Sequence, residues 1–383
     1  MEHVENLEMQ VQELLKLLEA AKQLNSNLEI EEVFQNILLQ MVAMVGAEAG
    51  TLWVLEPEGE EIKVVAAYGE SADKIVNVRL KKNEGIAGKV IMSGQPVLIR
   101  DVQQHPDWSN RVDESSGFVT KSMITVPLIV KDKVLGSLQL LNKKQSDFFK
   151  DEDVSLAVAL ASQSAMALHN SQMYDELQQM FLSMIRTLAK VLDARDPYTA
   201  GHSERVANYS VWIADKLGMA PEEKKELFKA ALLHDVGKIG IPDDILRKPD
   251  RLTAEEYDSI KLHTVIGADI LSNMEPKKAM ADVIQTARSH HERLDGSGYP
   301  DGFKGEEISL FARIVGVADT FDAMTTARSY SKGMSYYDGA SELIRCKDRL
   351  FDSRIVDAFT AVLTECDYNL AQYEADHKKE YRL

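Results

Sequence analysis

Apolar residues at Val4, Leu7, Val11, Leu14, Leu18 and Ala21 alternate steps of three and four. That seam predicts a coiled-coil helix over residues 1–27, most simply a parallel dimer. Asn25 falls on the same register before Leu28 restores it, and a lone seam asparagine fixes register at some cost in stability. From Leu28 to about residue 170 the pattern changes. Strand-like runs at Gly50–Leu55, Ile62–Ala67, Ser122–Leu128 and Val134–Leu141 are broken by turn residues such as Pro57-Glu58-Gly59 and Lys131-Asp132-Lys133, with helical periodicity on either side. The order predicts an α+β domain built on a central antiparallel sheet with helices packed on one face. Between Asp151 and Asp193 no proline or glycine interrupts a helical pattern that includes Leu156, Leu160, Met166, Leu168, Met173, Leu177, Phe181, Met184 and Leu188. At about 1.5 Å per residue, a helix of about 40 residues runs roughly 60 Å. That exceeds what one small domain covers, so the segment predicts a connecting helix that also pairs in a dimer.

The chain has 383 residues, enough for two or three domains each with its own core. Its 44 basic and 61 acidic residues give a formal charge of −17, which opposes binding to long nucleic acid but not to a small anion held by local cations. No apolar run approaches the roughly 20 residues of a spanning helix, and charged residues follow Met1 in place of a signal peptide's apolar core. A cytoplasmic protein that does not enter a membrane is expected. The two cysteines, Cys346 and Cys366, are read as free and structural.

Five of the nine histidines fall between residues 202 and 291. Imidazole and carboxylate together suit Fe, Mn, Zn or Ni, whereas two late cysteines do not make a thiolate zinc site. His202, His234, Asp235, His263, His290, His291 and Asp319 are therefore candidate ligands of a centre holding more than one ion. Each short element can deliver one or two ligands, so such a centre must draw on several helices, and every one of these positions reads as helix or helix end. Adjacent residues on a helix diverge by about 100°. That suits His234-Asp235 poorly for one ion and well for two, and it makes Asp235 the expected bridge.

Read in order, His202, His234-Asp235-Val236-Gly237-Lys238, Lys261-Leu262-His263, the run from His290-His291 through Gly298-Tyr299-Pro300, and Ala312–Met324 with Asp319 and Asp322 closely resemble the HD-GYP domain, a branch of the HD-superfamily phosphohydrolases. The resemblance covers residues 182–383. It implies an all-α domain that hydrolyses cyclic di-GMP to pGpG, GMP or both, with the seven residues above as metal ligands. It also implies Fe or Mn as the metal. Two ions rather than three are expected, because Tyr198 stands where some members carry a glutamate for a third. Lys238, four residues beyond His234 and so on the same helical face, is expected at the scissile phosphate. The resemblance further places Asp322, Arg328 and Lys332 on the dinucleotide, leaves Asp196, Tyr198 and Thr199 to shape the pocket wall, and sets Tyr299 in a glycine-rich loop beside the site, where a diguanylate cyclase partner could also dock. Two alternatives share these contacts: a phosphodiesterase for 3′,3′-cyclic GMP-AMP, and a slow adaptor that binds the dinucleotide and signals. An HD-type mononucleotide phosphohydrolase is disfavoured by the 290–302 motif.

The segment Gly85–Val90, the stretch at Ile99 with Pro106, Gly117–Leu128 and Leu141-Asn142-Lys143 resemble a GAF domain over residues 28–170, joined to the second domain by the helix of residues 151–193. Such domains hold small molecules over the sheet, so a small-molecule ligand is expected. A domain without cysteine cannot carry a thioether-linked bilin. Asn142, Lys143, Phe148 and Glu152 approximate a pattern found with cyclic-nucleotide binding, but they are read as braces of the domain. His105 and His169 are isolated and are not read as haem ligands.

Overall fold

The computed structural model describes residues 30–56, 59–106, 108, 113, 117–195, 201–326 and 333–377. The coiled coil expected over 1–27 lies outside them, as do Asp196, Tyr198, Thr199, Arg328 and Lys332. The chain divides into two compact units, residues 1–178 and 179–383.

The first unit is a six-stranded antiparallel sheet in the order β3-β2-β1-β6-β5-β4, with β1 at Ala47–Leu55, β2 at Glu61–Tyr68, β3 at Arg79–Lys81, β4 at Val97–Ile99, β5 at Met123–Val130 and β6 at Lys133–Lys143. Helix α1 (Ile30–Val45) buries Phe34, Ile37, Leu38 and Met41 against Leu52, Ala66 and Leu138, joined there by Ala157, Leu160, Ala161 and Leu168 of the long helix α3 (Asp151–Arg195). Helix α2 (Gly85–Ser93) lies on the other face, where Ala87 and Ile91 pack with Trp53, Ile62 and Val64. Helices on one face were expected; both faces are covered. Successive strand side chains point to opposite faces, and Leu52 and Trp53 are both buried, so β1 demands cover on each side. The side chain of Asn142, in left-handed backbone at φ 52°, takes the Lys121 amide at 2.8 Å and donates to Glu48 and the Val119 carbonyl, while Lys143 bonds the Val45 carbonyl and Asp153. These two residues brace the domain, as read from the sequence.

The long helix α3 is continuous over 45 residues, two longer than expected at its end. The second unit is helical throughout its described residues apart from an isolated bridge: α4 (His202–Lys216), α5 (Pro221–Leu233), α6 (Ala254–Ser272), α7 (Lys277–Ser289), α8 (Leu310–Thr325), α9 (Tyr336–Arg345), α10 (Ser353–Glu365) and α11 (Leu370–His377). Local signals set the boundaries. Pro221 opens α5. Thr253 and Glu256 close a reciprocal capping box on α6, with the Glu256 carboxylate accepting from the Thr253 amide at 2.7 Å. A single core of Val206, Trp212, Leu227, Phe321, Phe359 and their neighbours holds α4, α5, α8 and α10 together and fixes where their ends meet. Among the described residues no helix is long and apolar enough to cross a membrane.

Candidate metal centre

The seven candidate ligands converge. His202 is the first residue of α4, His234 follows the last turn of α5 with Asp235 next to it, and His263 sits within α6. His290 and His291 follow α7, and Asp319 lies within α8. Gly237 explains why Asp235 reaches α6. A Cβ at Gly237 would stand 1.8 Å from the His263 carbonyl oxygen and 2.4 Å from the Gly267 amide nitrogen, so only glycine lets the turn after Asp235 touch the α6 backbone.

The ligand atoms form two groups, Asp235 with His263, His290 and His291, and His202 with His234 and Asp319. Asp235 faces both. Its Oδ1 lies 3.2 Å from His263 Nε2 and 3.8 Å from His290 Nε2, and its Oδ2 lies 3.4 Å from His234 Nε2 and 3.7 Å from His202 Nε2. Asp319 likewise has Oδ1 at 3.3 Å from His202 and Oδ2 at 3.9 Å from His291. Asp235 thus turns one oxygen toward His263 and His290 and the other toward His234 and His202.

Three of the five histidines, His234, His263 and His290, are held in one tautomer by backbone carbonyls. Nδ1 of His234 and of His263 each lies 2.6 Å from a carbonyl three residues back, and Nδ1 of His290 lies 3.1 Å from the Thr286 and Ala287 carbonyls. A carbonyl only accepts, so Nδ1 carries the proton and Nε2 presents a bare lone pair. Nε2 of His234 is buried with no hydrogen-bond partner. An orphaned acceptor costs about 1–3 kcal/mol unless something fills it, and a cation held with Asp319 and His202 would do so. The donor set fits a pair of divalent cations.

His202 is held by carboxylates instead. Its Nδ1 donates to Asp322 at 2.7 Å while Nε2 faces Asp319 and Asp235. Burial alone would lower its pKa, but hydrogen bonds to Asp319 and Asp322 outweigh burial and raise it to about 9. Burial pushes His291 down to about 3 and, with the neighbouring histidines, holds His290 well below the ordinary range. Asp235 and Asp319 stay ionised despite burial, the first through Lys238 and His234, the second through His202 and His291. A metal bound through His202 Nε2 must therefore displace the proton held there. Metal affinity should rise with pH up to about 9 and level off above it, because the competing proton is bound below that value. Calorimetric titration of Mn2+ at pH 7 in buffers of different ionisation enthalpy should show about one proton released per chain, on filling the group that contains His202.

Two placements differ from expectation. Asp322 is 1% exposed, and its carboxylate is engaged by His202 Nδ1 and by Arg205 Nε and Nη2 at 2.6 and 2.9 Å. It has no face left for a dinucleotide; it orients His202, as carboxylates behind metal-bound histidines do. Asp322→Asn should weaken metal binding about 10- to 100-fold without unfolding the domain, read by metal titration alongside thermal melting. Lys238 does not share a helical face with His234. The α-helix ends at Leu233 and a 3-10 turn, Val236–Gly240, follows, which brings Lys238 Nζ to 2.6 Å from Asp235 Oδ2. Tyr299 stacks on His291 with ring centroids 4.7 Å apart, and the Lys261 ammonium lies 5.8 Å above the Tyr299 ring. Sequence reasoning passed over Arg205, Gly237 and Glu292. Glu292, 4% exposed, accepts from the Asp301 and Gly302 amides and so closes the glycine-rich loop. Its place directly after the histidine pair was the available signal.

Comparison with known proteins gives the class. Residues 27–169 match the GAF domain family and residues 186–355 match the HD domain family. It is 38% identical over 216 residues to the cyclic di-GMP phosphodiesterase response regulator RpfG of Xanthomonas campestris, covering 56% of this chain and 54% of that one. It is 31% identical over 290 residues to a probable cyclic di-GMP phosphodiesterase of Vibrio cholerae, covering 70% and 62%. The 3′3′-cGAMP-specific phosphodiesterase 3 of Vibrio cholerae is 43% identical over 174 residues, 45% of this chain and 37% of that one. The chain spans about half the length of the first of these relatives.

Proposed function

We propose that this chain is a metal-dependent phosphodiesterase that hydrolyses cyclic di-GMP to pGpG, GMP or both, under the control of its GAF domain. The observation that carries the reading is Asp235, whose two oxygens each face a separate group of buried imidazoles. Two divalent ions, Fe or Mn, fit this set of nitrogen and oxygen donors. When bound, they would supply a water of lowered pKa and neutralise phosphate charge.

The chain's own residues do the rest. The carbonyls behind His234, His263 and His290 hold each ring in its donor tautomer. Lys238 places an ammonium at the edge of the ligand cluster, where it can meet a phosphate oxygen or the charge that grows on the leaving oxygen. Tyr299, with Lys261 beside it, offers a purine an aromatic face and its phosphate a cation. Arg328 and Lys332 are proposed to complete the grip on phosphate. The GAF pocket, about 860 Å³ of space partly open to solvent and lined by Trp53, Tyr68, Trp108 and Phe118, is proposed to take a small, largely apolar ligand. The glycine-rich loop is proposed as the face for a diguanylate cyclase, and the chain is proposed to act in the cytoplasm, where that messenger would be its substrate.

Anaerobic incubation with cyclic di-GMP, with metal counted on the same sample, tests the reading. Linear products with about two metals per chain support it; bound dinucleotide without products makes the chain an adaptor. The 3′,3′-cyclic GMP-AMP alternative is favoured by the likeness to the cGAMP-specific enzyme, and a faster rate on that substrate would establish it. A homodimer through α3 is also part of the proposal. Met166, Met173, Leu177, Met180, Met184, Leu188 and Val191 are all exposed on that helix at steps of seven, four, three, four, four and three, a coiled-coil spacing. Leu177→Glu with Met184→Glu should turn a sedimenting dimer into a monomer.

A further inference from the structure

Arg195, the last residue of α3, directs its whole guanidinium at the turn that carries Lys238. Nη1 donates to the Lys238 carbonyl at 2.8 Å and to the Ile239 carbonyl at 2.7 Å, Nη2 donates to the Ile241 carbonyl at 2.7 Å, and Nε donates to Asp243 Oδ1 at 2.9 Å. The last carbonyls of a short helical turn are short of partners within it, and here, among the described residues, only that of Lys238 takes a backbone amide, from Ile241 at 3.1 Å. A planar fork with five donors on three nitrogens can reach several spread-out carbonyls at once, whereas a lysine's three donors share one nitrogen. On its opposite side the same turn is pressed against α6 through Gly237. The turn is therefore fixed from two directions, and Lys238 projects from it to Asp235.

We infer that Arg195 is a positioning residue for the reaction, holding the Lys238 ammonium at its place beside the bridging carboxylate. The inference rests on the phosphodiesterase reading above. It assigns the end of the long helix a direct mechanical link to the catalytic lysine: a twist of α3 at its last residue moves the carbonyls of Lys238, Ile239 and Ile241 through the Arg195 side chain alone.

The test uses the full chain with Arg195→Ala, Arg195→Lys, Lys238→Ala and the double variant Arg195→Ala/Lys238→Ala. Misplacing a catalytic group by about 1 Å can cost about 100-fold in rate, so Arg195→Ala should lower kcat about 10- to 100-fold with KM and metals per chain unchanged, and Arg195→Lys should recover little of it. The double variant should be no slower than Lys238→Ala within about twofold, because Arg195 acts through that lysine. Additive losses, loss of metal, or a wild-type kcat in Arg195→Ala would overturn the inference. Hydrogen exchange of residues 236–241 gives a readout that does not need turnover. Faster exchange there in Arg195→Ala, with α5 and α6 unchanged, supports the clamp; unchanged exchange overturns it. A wild-type chain that hydrolyses no cyclic dinucleotide defeats the functional reading alone, and the exchange measurement then still decides the fate of the clamp.

Discussion

Asp235→Asn is expected to abolish hydrolysis, by about a thousand-fold or more, the scale on which enzymes lose a principal electrostatic group. The carboxylate is 7% exposed and sits between two sets of imidazoles, one oxygen to each. An asparagine keeps the volume but replaces one acceptor oxygen with an NH2 group that has hydrogens to give and no lone pair for a cation. It also removes the negative charge that offsets Lys238 and His234. Metal analysis should show less than the wild-type content. Lys238→Ala makes the informative contrast, since it should keep its metal while losing rate. An Asp235→Asn protein that retained both metal and turnover would sink the site assignment.

The second large effect is expected from a residue with no side chain. Gly237→Ala would set a methyl group 1.8 Å from the His263 carbonyl oxygen and 2.4 Å from the Gly267 amide nitrogen. Both neighbours are backbone, so neither can swing aside. The turn must lift from α6, which carries Asp235 away from His263. Overpacking in a tight core costs about 3 kcal/mol or more in such cases, which for a domain of this size is a fall of roughly 6–12 °C in melting temperature. Differential scanning calorimetry should show the transition of the HD domain lowered and that of the GAF domain unmoved, with metal content reduced. A variant that melts within about 2 °C of wild type with full metal would show that the turn does not set the approach of Asp235 to α6.

The candidate ligands could be picked out in the chain because imidazoles and carboxylates so crowded and so spaced are uncommon, and the fold brings all seven together. The groups that stand behind the ligands could not. Asp322 lies three residues after Asp319 on one helix, and both are carboxylates near the site. Only the packing of α8 against α4 shows that one faces the cluster while the other turns to His202 and Arg205. Lys238 was assigned a helical face by counting four residues from His234. Helix α5 stops at Leu233, and the tighter turn beyond it delivers the lysine to Asp235 by a different route. Arg195 and Gly237 carry no chemical signature at all; each matters through the backbone it meets 26 to 46 residues away in sequence. In the GAF domain four of the six strands were legible from their apolar runs, while β3 and β4, three residues each, are too short to show a pattern; the demand for cover on both faces followed from Trp53, whose burial opposite Leu52 could not be read from the run itself.

The carbonyl-locked imidazoles have a kinetic consequence. Because His234, His263 and His290 already aim bare nitrogens inward, and are no more than 1% exposed, an ion bound there would need little rearrangement of the rings, and its entry and its exit would cross the same barrier of packed helices. Such a site would trade its ion slowly in both directions, so the metal found in purified protein would reflect the supply it first met as well as the preference of the donors.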